Sequence, residues 1–176
     1  SDPGQTIDVA EHYPDVVRRL RLAHEERWNE VRPLLDEYCP ISIGADEENP
    51  TRLNAMDVMG DVAWNQPHIR AAQRSTGRWA VEVEKAGHYT FELQRWPKEL
   101  GLPIDAELQE MESSAIHPSR ARLSVGHFEA TTEVPEGAES VTFEADLQPG
   151  RADLDAWFIN DDDEERGAYY VYIERH

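Results

Sequence analysis

The chain has 176 residues, 39% of them hydrophobic, a formal net charge of −19 and a single cysteine. That length suffices for one domain with a core, or for a domain with an appendage. The charge argues against nucleic-acid and anionic-lipid partners, which need a basic face; no apolar run approaches the ~18 residues that span a bilayer; and Cys39, being alone, has no internal disulfide partner.

The first element is a turn. Pro presets φ and Gly tolerates a positive φ in Asp2-Pro3-Gly4. Nothing precedes this turn, neither a starting Met nor a leader-like segment, so the expectation is a C-terminal piece of a larger enzyme. Pro14 then suits the first position of a helix, where its missing N–H costs nothing, and Asp15 complements the helix N-terminus. Val17, Leu20, His24, Trp28 and Val31 recur at spacings of three and four on one face. The helix should stop near Val31, because Pro33 cannot continue it. Such a stripe needs a partner, either the rest of the chain or a domain outside it.

After Tyr38 the pattern changes to short alternating runs between turn residues. Ile41 and Ile43 precede Gly44. Trp79, Val81 and Val83 alternate with polar residues, Ala86-Gly87 turns the chain, and Tyr89, Phe91 and Leu93 alternate again. This stretch predicts a β-hairpin. Leu123 and Val125 mark a further strand ended by Gly126. Val141, Phe143, Ala145 and Leu147 alternate before Pro149-Gly150, then Leu154, Ala156 and Phe158 follow, and the chain closes on a Tyr-rich strand. Roughly eight strands without helical interludes predict a mainly β fold, an antiparallel β-sandwich or jelly roll preceded by one N-terminal α-helix. The expected division is 1–37 and 38–176. Residues 97–118, rich in Pro, Glu and Ser, read as a long loop with a short helix at 105–112.

The stretch "DPGQTIDVAEHYPDVVRRLRLAHEERWNEV" resembles the segment that ends the catalytic unit of arylsulfatases. There, a "DPGQTTDVA…HP…V…RL…W" line joins the last strand of a small sheet to a closing helix. The remainder, from "PISIG" through "WNQ", "GRWAVEVEKAGHYTFELQRWP", "ADLQPGRADLDAWF" and "GAYYVYIE", is similar to the C-terminal extension of some bacterial sulfatases. The resemblance is most specific over 2–31 and 77–97. It implies a parent that hydrolyses sulfate esters with a formylglycine and a calcium ion. The formylglycine signature, of the form C-x-P-x-R, is not found here. Cys39-Pro40-Ile41 lacks its spacing and its Arg, and His117-Pro118-Ser119-Arg120 has no nucleophile in the required place. No catalytic residue carries over, so the expected role is that of a non-catalytic accessory sandwich whose partner is the sulfatase catalytic domain. The compartment is left open, periplasmic and secreted parents both being compatible.

The residues themselves point to few other sites. The seven histidines are scattered without metal-ligand spacing. The acidic run 161–165 lacks the Asp-x-Asp-x-Asp-Gly pattern of a calcium loop and reads as solvated. No metal or cofactor is expected in this chain. The aromatic residues are more informative. Trp96 and Trp157 fall in the polar phase of their strands, and Tyr170 and Tyr172 are out of phase with Val171 and Ile173, which places large rings on an outer face. The expectation is that Trp96 and Trp157 lie there against protein. Trp64 and Asn65 sit in "AWNQPHIR", an expected loop where an aromatic ring stands beside amide and Arg groups. Trp64, Asn65, Arg95, Trp96 and Trp157 are therefore the candidate contact residues, either for packing between domains or, alternatively, for a carbohydrate-binding module that recognises a glycan, including a sulfated one.

Overall fold

A computed structural model of the chain describes residues 2–4, 6–35, 37–75, 77–108 and 112–176. The chain forms two compact units, Ser1–Cys39 and Pro40–His176.

In the first unit the Asp2 carboxylate organises the entry. It accepts hydrogen bonds from the backbone N–H of Ile7 (2.9 Å) and the hydroxyl of Thr6 (3.3 Å). Helix α1 then runs Pro14–Val31 with Pro in its first turn. It ends where Pro33 enters a 3-10 turn over Arg32–Leu34, as the missing N–H of that proline requires. No residue of α1 is buried.

The second unit is a β-sandwich built from ten strands among the described residues: β1 Ile41–Ile43, β2 Thr51–Asn54, β3 Trp79–Val83, β4 Gly87–Gln94, β5 Arg120–Val125, β6 Phe128–Glu133, β7 Val141–Leu147, β8 Gly150–Ile159, β9 Glu165–Gly167 and β10 Tyr170–Arg175. One sheet has the order β1-β3-β8-β5-β6, with β9 also on β8; the other has the order β2-β10-β4-β7. Every ladder is antiparallel except β1–β3.

The inward rows follow from period-2 alternation. Trp79, Val81 and Val83 on β3, Leu154, Ala156 and Phe158 on β8, and Ala121, Leu123 and Val125 on β5 face the core. Opposite them stand Tyr89, Phe91 and Leu93 on β4, Val141, Phe143, Ala145 and Leu147 on β7, and Val171 and Ile173 on β10. The Trp79 indole N–H, at the edge of this core, donates to the carbonyl of Asn54 at 2.9 Å and so ties one sheet to the other.

The predicted 79–94 hairpin does not form. β3 pairs with β1 and β8, while β4 pairs with β10 and β7, so the 84–86 turn carries the chain from one sheet to the other. In a hairpin both apolar rows would share one face and need a separate cover. As an arch, each row helps to cover the other. The Pro149-Gly150 turn is likewise a sheet-to-sheet crossing, since β7 and β8 belong to different sheets. β5–β6 is a true hairpin: Val125 pairs with Phe128 across a two-residue turn whose first residue, Gly126, takes φ 60°, a conformation glycine adopts without penalty.

Three short strands had no alternating apolar signature strong enough to announce them: β2, β6 and β9. A short helix, α2 Gln66–Arg70, also interrupts the predicted loop around "AWNQPHIR". The Asn65 side chain caps it by accepting from His68 N–H at 2.9 Å, and Pro67 lies in its first turn. The helix predicted at 105–112 is not found over 105–108, which are turn and irregular chain; residues 109–111 lie outside the described residues.

A second, smaller core covers the outer face of the β2-β10-β4-β7 sheet. Trp96, Tyr169 and Tyr170 pack there with Ala55, Ala63 and Ile69, flanked by Leu102, Leu108 and Tyr172. The excursion between β2 and β3 and the loop after β4 thus fold back over the sheet.

Candidate functional site

Two of the candidate residues are interior. Trp96 is 2% exposed and Arg95 is fully buried. Arg95 donates to four backbone carbonyls: Ile104 (3.5 Å), Ala106 (3.2 Å), Arg70 (3.3 Å) and Ser114. Its guanidinium lies 4.3 Å from the Trp96 ring centroid. Burial pulls the Arg95 pKa down to about 10. This side chain is a hub that ties the irregular chain at Ile104, Ala106 and Ser114 to the end of α2. It presents nothing to a ligand. The neighbouring Tyr169 is equally internal: its hydroxyl donates to the Gln73 carbonyl at 2.7 Å, and burial pushes its pKa up to about 12.

Trp157 lies on the outer face of the other sheet and is half-buried. The Arg122 guanidinium stands 5.9 Å from its ring centroid and is itself paired with Glu165 at 2.8 Å. The acidic run beside it folds around Asn160, whose side-chain oxygen accepts from the N–H groups of Asp162 (3.1 Å) and Glu164 (2.8 Å). Asp163 turns outward to Arg120 at 2.5 Å. Among the described residues no group of three or more His, Cys, Asp or Glu side chains is arranged to hold a metal ion.

Trp64 and Asn65 are brought together with residues the sequence did not single out. They line a cleft of ≈ 630 Å³ with Arg52, Asn54, Met56 and Tyr170. The cleft opens at β2, the edge strand of its sheet, where Asn54 pairs with Tyr170. Alternation sends Thr51 and Leu53 inward and leaves Arg52 and Asn54 on the cleft side. The 3-10 turn Ala55–Asp57 carries Met56, and the residues leading into α2 carry Trp64.

Trp64 is 58% exposed, and Met56 is 65% exposed. The ring is not loose: it forms a T-shaped pair with the His68 ring on α2, with centroids 5.5 Å apart and planes at 88°. Polar groups surround it. Gln66 Nε2 donates to the Tyr170 hydroxyl at 2.9 Å, and Asn54 Nδ2 donates to Asp57 at 2.5 Å. Arg52 is already engaged by Glu99 at 3.4 Å. An apolar platform beside amides and hydroxyls, with its one guanidinium compensated, suits binding of an uncharged amphipathic group. The one signal at Arg52 and Asn54 is the "TRLN" alternation before the Ala-Met turn, too short to announce a strand.

No protein-family model matches the chain, and no curated protein matches it. Among solved structures, the chain is similar to a ruminal GH26 endo-β-1,4-mannanase at 14% identity with a TM-score of 0.42. The match covers 72% of this chain and 26% of that one.

Proposed function

We propose that this chain is the non-catalytic C-terminal part of a sulfatase-type hydrolase, with the first unit closing the catalytic domain and the sandwich packing on it as an accessory module. The reading is supported by one observation above others. The segment that resembles the end of a sulfatase catalytic unit is carried on α1, whose Leu20 and Trp28 remain 61% and 46% exposed. A helix with a regular apolar face that is left unburied is a surface shaped for a partner. In this reading the partner is the catalytic domain, and the formylglycine and calcium of sulfate-ester hydrolysis belong to it.

The test is the reading frame upstream of Ser1. It is expected to encode a sulfatase catalytic unit with a C-x-P-x-R or S-x-P-x-R signature. An upstream frame that encodes an unrelated domain, or none, overturns the proposal. The isolated chain, supplied with calcium, is expected to leave 4-nitrophenyl sulfate intact, and turnover above a mock preparation would equally overturn it.

A further inference from the structure

The sandwich unit leaves three large hydrophobic side chains exposed among its described residues: Met56, Trp64 and Leu100. Two of the three line one cleft. That concentration is what distinguishes a contact site from the scattered apolar residues of an ordinary surface. Trp64 is braced by His68, so little conformational freedom is lost when something stacks on it.

The chemistry of the lining selects the occupant. A purely apolar partner would leave the Asn65 amide N–H groups and the Gln66 side-chain carbonyl without water or a replacement, a costly outcome. Asn65 spends its oxygen on the cap of α2, and its amide N–H groups make no hydrogen bond among the described residues. A polyanion would meet a chain of net charge −19 and find Arg52 already paired with Glu99. A pyranose ring fits both conditions. Its C–H face stacks on an indole, and its hydroxyls serve amide and phenol groups at the ring edge.

We propose that this cleft is a binding subsite for an uncharged pyranose residue of a glycan, with Trp64 as the stacking platform, Met56 as its apolar flank, and Asn65 and Gln66 as hydroxyl partners. The assignment does not depend on the sulfatase reading.

The experiment is affinity gel electrophoresis of the whole chain in gels containing a soluble β-glucan, a xylan or a galactan, with carrageenan as the sulfated counterpart. At least one neutral polysaccharide is expected to retard the protein. Trp64→Ala is expected to weaken that retardation at least about tenfold in apparent affinity, the equivalent of losing one stacked aromatic contact. Met56→Ala should weaken it less, and Trp157→Ala, on the opposite sheet, should leave it unchanged. Both cleft side chains are exposed, and equal melting temperatures will show that the variants fold. Retardation by no neutral polysaccharide, retardation by carrageenan alone, or retardation that survives Trp64→Ala overturns the subsite. So does a Trp64→Ala variant that loses binding to a separately produced sulfatase core while the parent chain ignores every polysaccharide, since the occupant is then protein. None of these results alters what the upstream reading frame encodes, so the two proposals fail separately.

Discussion

Residues 1–39 and 40–176 use their large apolar side chains in opposite ways. Of the thirteen such residues exposed among those described, ten lie in the first unit and three in the sandwich. α1 has the periodicity of a packed helix and buries none of its residues, whereas the strands bury nearly every inward position. Periodicity thus announces that a face exists, but not whether this chain supplies its cover. Most of the stability of a protein helix comes from that cover rather than from propensity, so the two units should respond very differently to loss of apolar surface.

The sharpest way to break this contrast is a pair of equal truncations. Leu123→Ala, at a fully buried position, is expected to lower unfolding free energy by about 3 kcal/mol, while Leu20→Ala should change it by less than about 0.5 kcal/mol. Chemical denaturation of the whole chain measures both. A Leu20→Ala loss comparable to that of Leu123→Ala would show that α1 is part of the cooperative fold.

The Tyr169 phenol offers a pH test of the second core. Its pKa is about 12 in the fold against an ordinary value of 10.0, so between these pH values the unfolded chain releases a proton that the folded chain keeps. Stability from this group is complete below pH 10 and declines as pH rises toward 12, by on the order of 2–3 kcal/mol in total. Absorbance at 295 nm should show a late tyrosinate phase that Tyr169→Phe removes, together with a shallower alkaline loss of stability in that variant. A native protein whose tyrosines all titrate near 10 would refute the buried placement.

Arg95→Met sharpens the comparison within the sandwich itself, between its apolar inner core and its polar outer one. The substitution relieves a buried charge but orphans the carbonyls of Ile104, Ala106 and Ser114, while that of Arg70 keeps the Ser114 N–H at 2.9 Å. With three acceptors left against one desolvation cost, a net loss of about 2 kcal/mol is expected by thermal or urea unfolding. A neutral result would mean that the chain around Ile104, Ala106 and Ser114 is held by its apolar contacts alone.

The smallest effect is expected at Ala72, which has φ 53° just past α2. Its N–H bonds the Ile69 carbonyl at 3.1 Å, and Gln73 N–H bonds that of His68 at 2.9 Å, the pattern that favours glycine at this position. Ala72→Gly relieves roughly 1 kcal/mol of left-handed strain but removes a buried methyl worth about 0.8 kcal/mol, so the melting point should barely move. A clear loss would show that the methyl matters more than the backbone.

Much of this was legible in the residues. Pro14 and Pro33 bracket α1, and the inward rows of β3, β4, β7 and β8 alternate as expected. The odd-even phase of Tyr170 and Tyr172 against Val171 and Ile173 separates the two cores. Pairing was not legible, because alternation fixes which face is apolar and says nothing about which strand lies alongside. A hairpin and an arch therefore look the same over residues 79–94. Arg95 was also opaque. A charged residue at the end of a strand reads as solvent-facing, and its burial depends on carbonyls from segments 9 to 25 residues away. At the candidate site, Trp64 and Asn65 stood out as an aromatic beside an amide. Arg52 and Asn54 did not, since four residues of alternation are too few to identify an edge strand.

β10 lies in the middle of its sheet, hydrogen-bonded to β2 on one side and β4 on the other. The strands it joins precede it by more than 70 residues. Its register with them, Ile173 opposite Thr51 and Phe91, can be set only after nearly the whole sandwich has been synthesised. Such non-local pairing makes for slow folding with high contact order. On the ribosome β4 and β7 can meet early, but β2 must wait as an unpaired strand until residues 170–175 emerge. That interval is when the chain is most open to aggregation or to a chaperone. Shortening it, by a circular permutation that places β10 next to β2, would speed assembly while leaving the finished sheet the same.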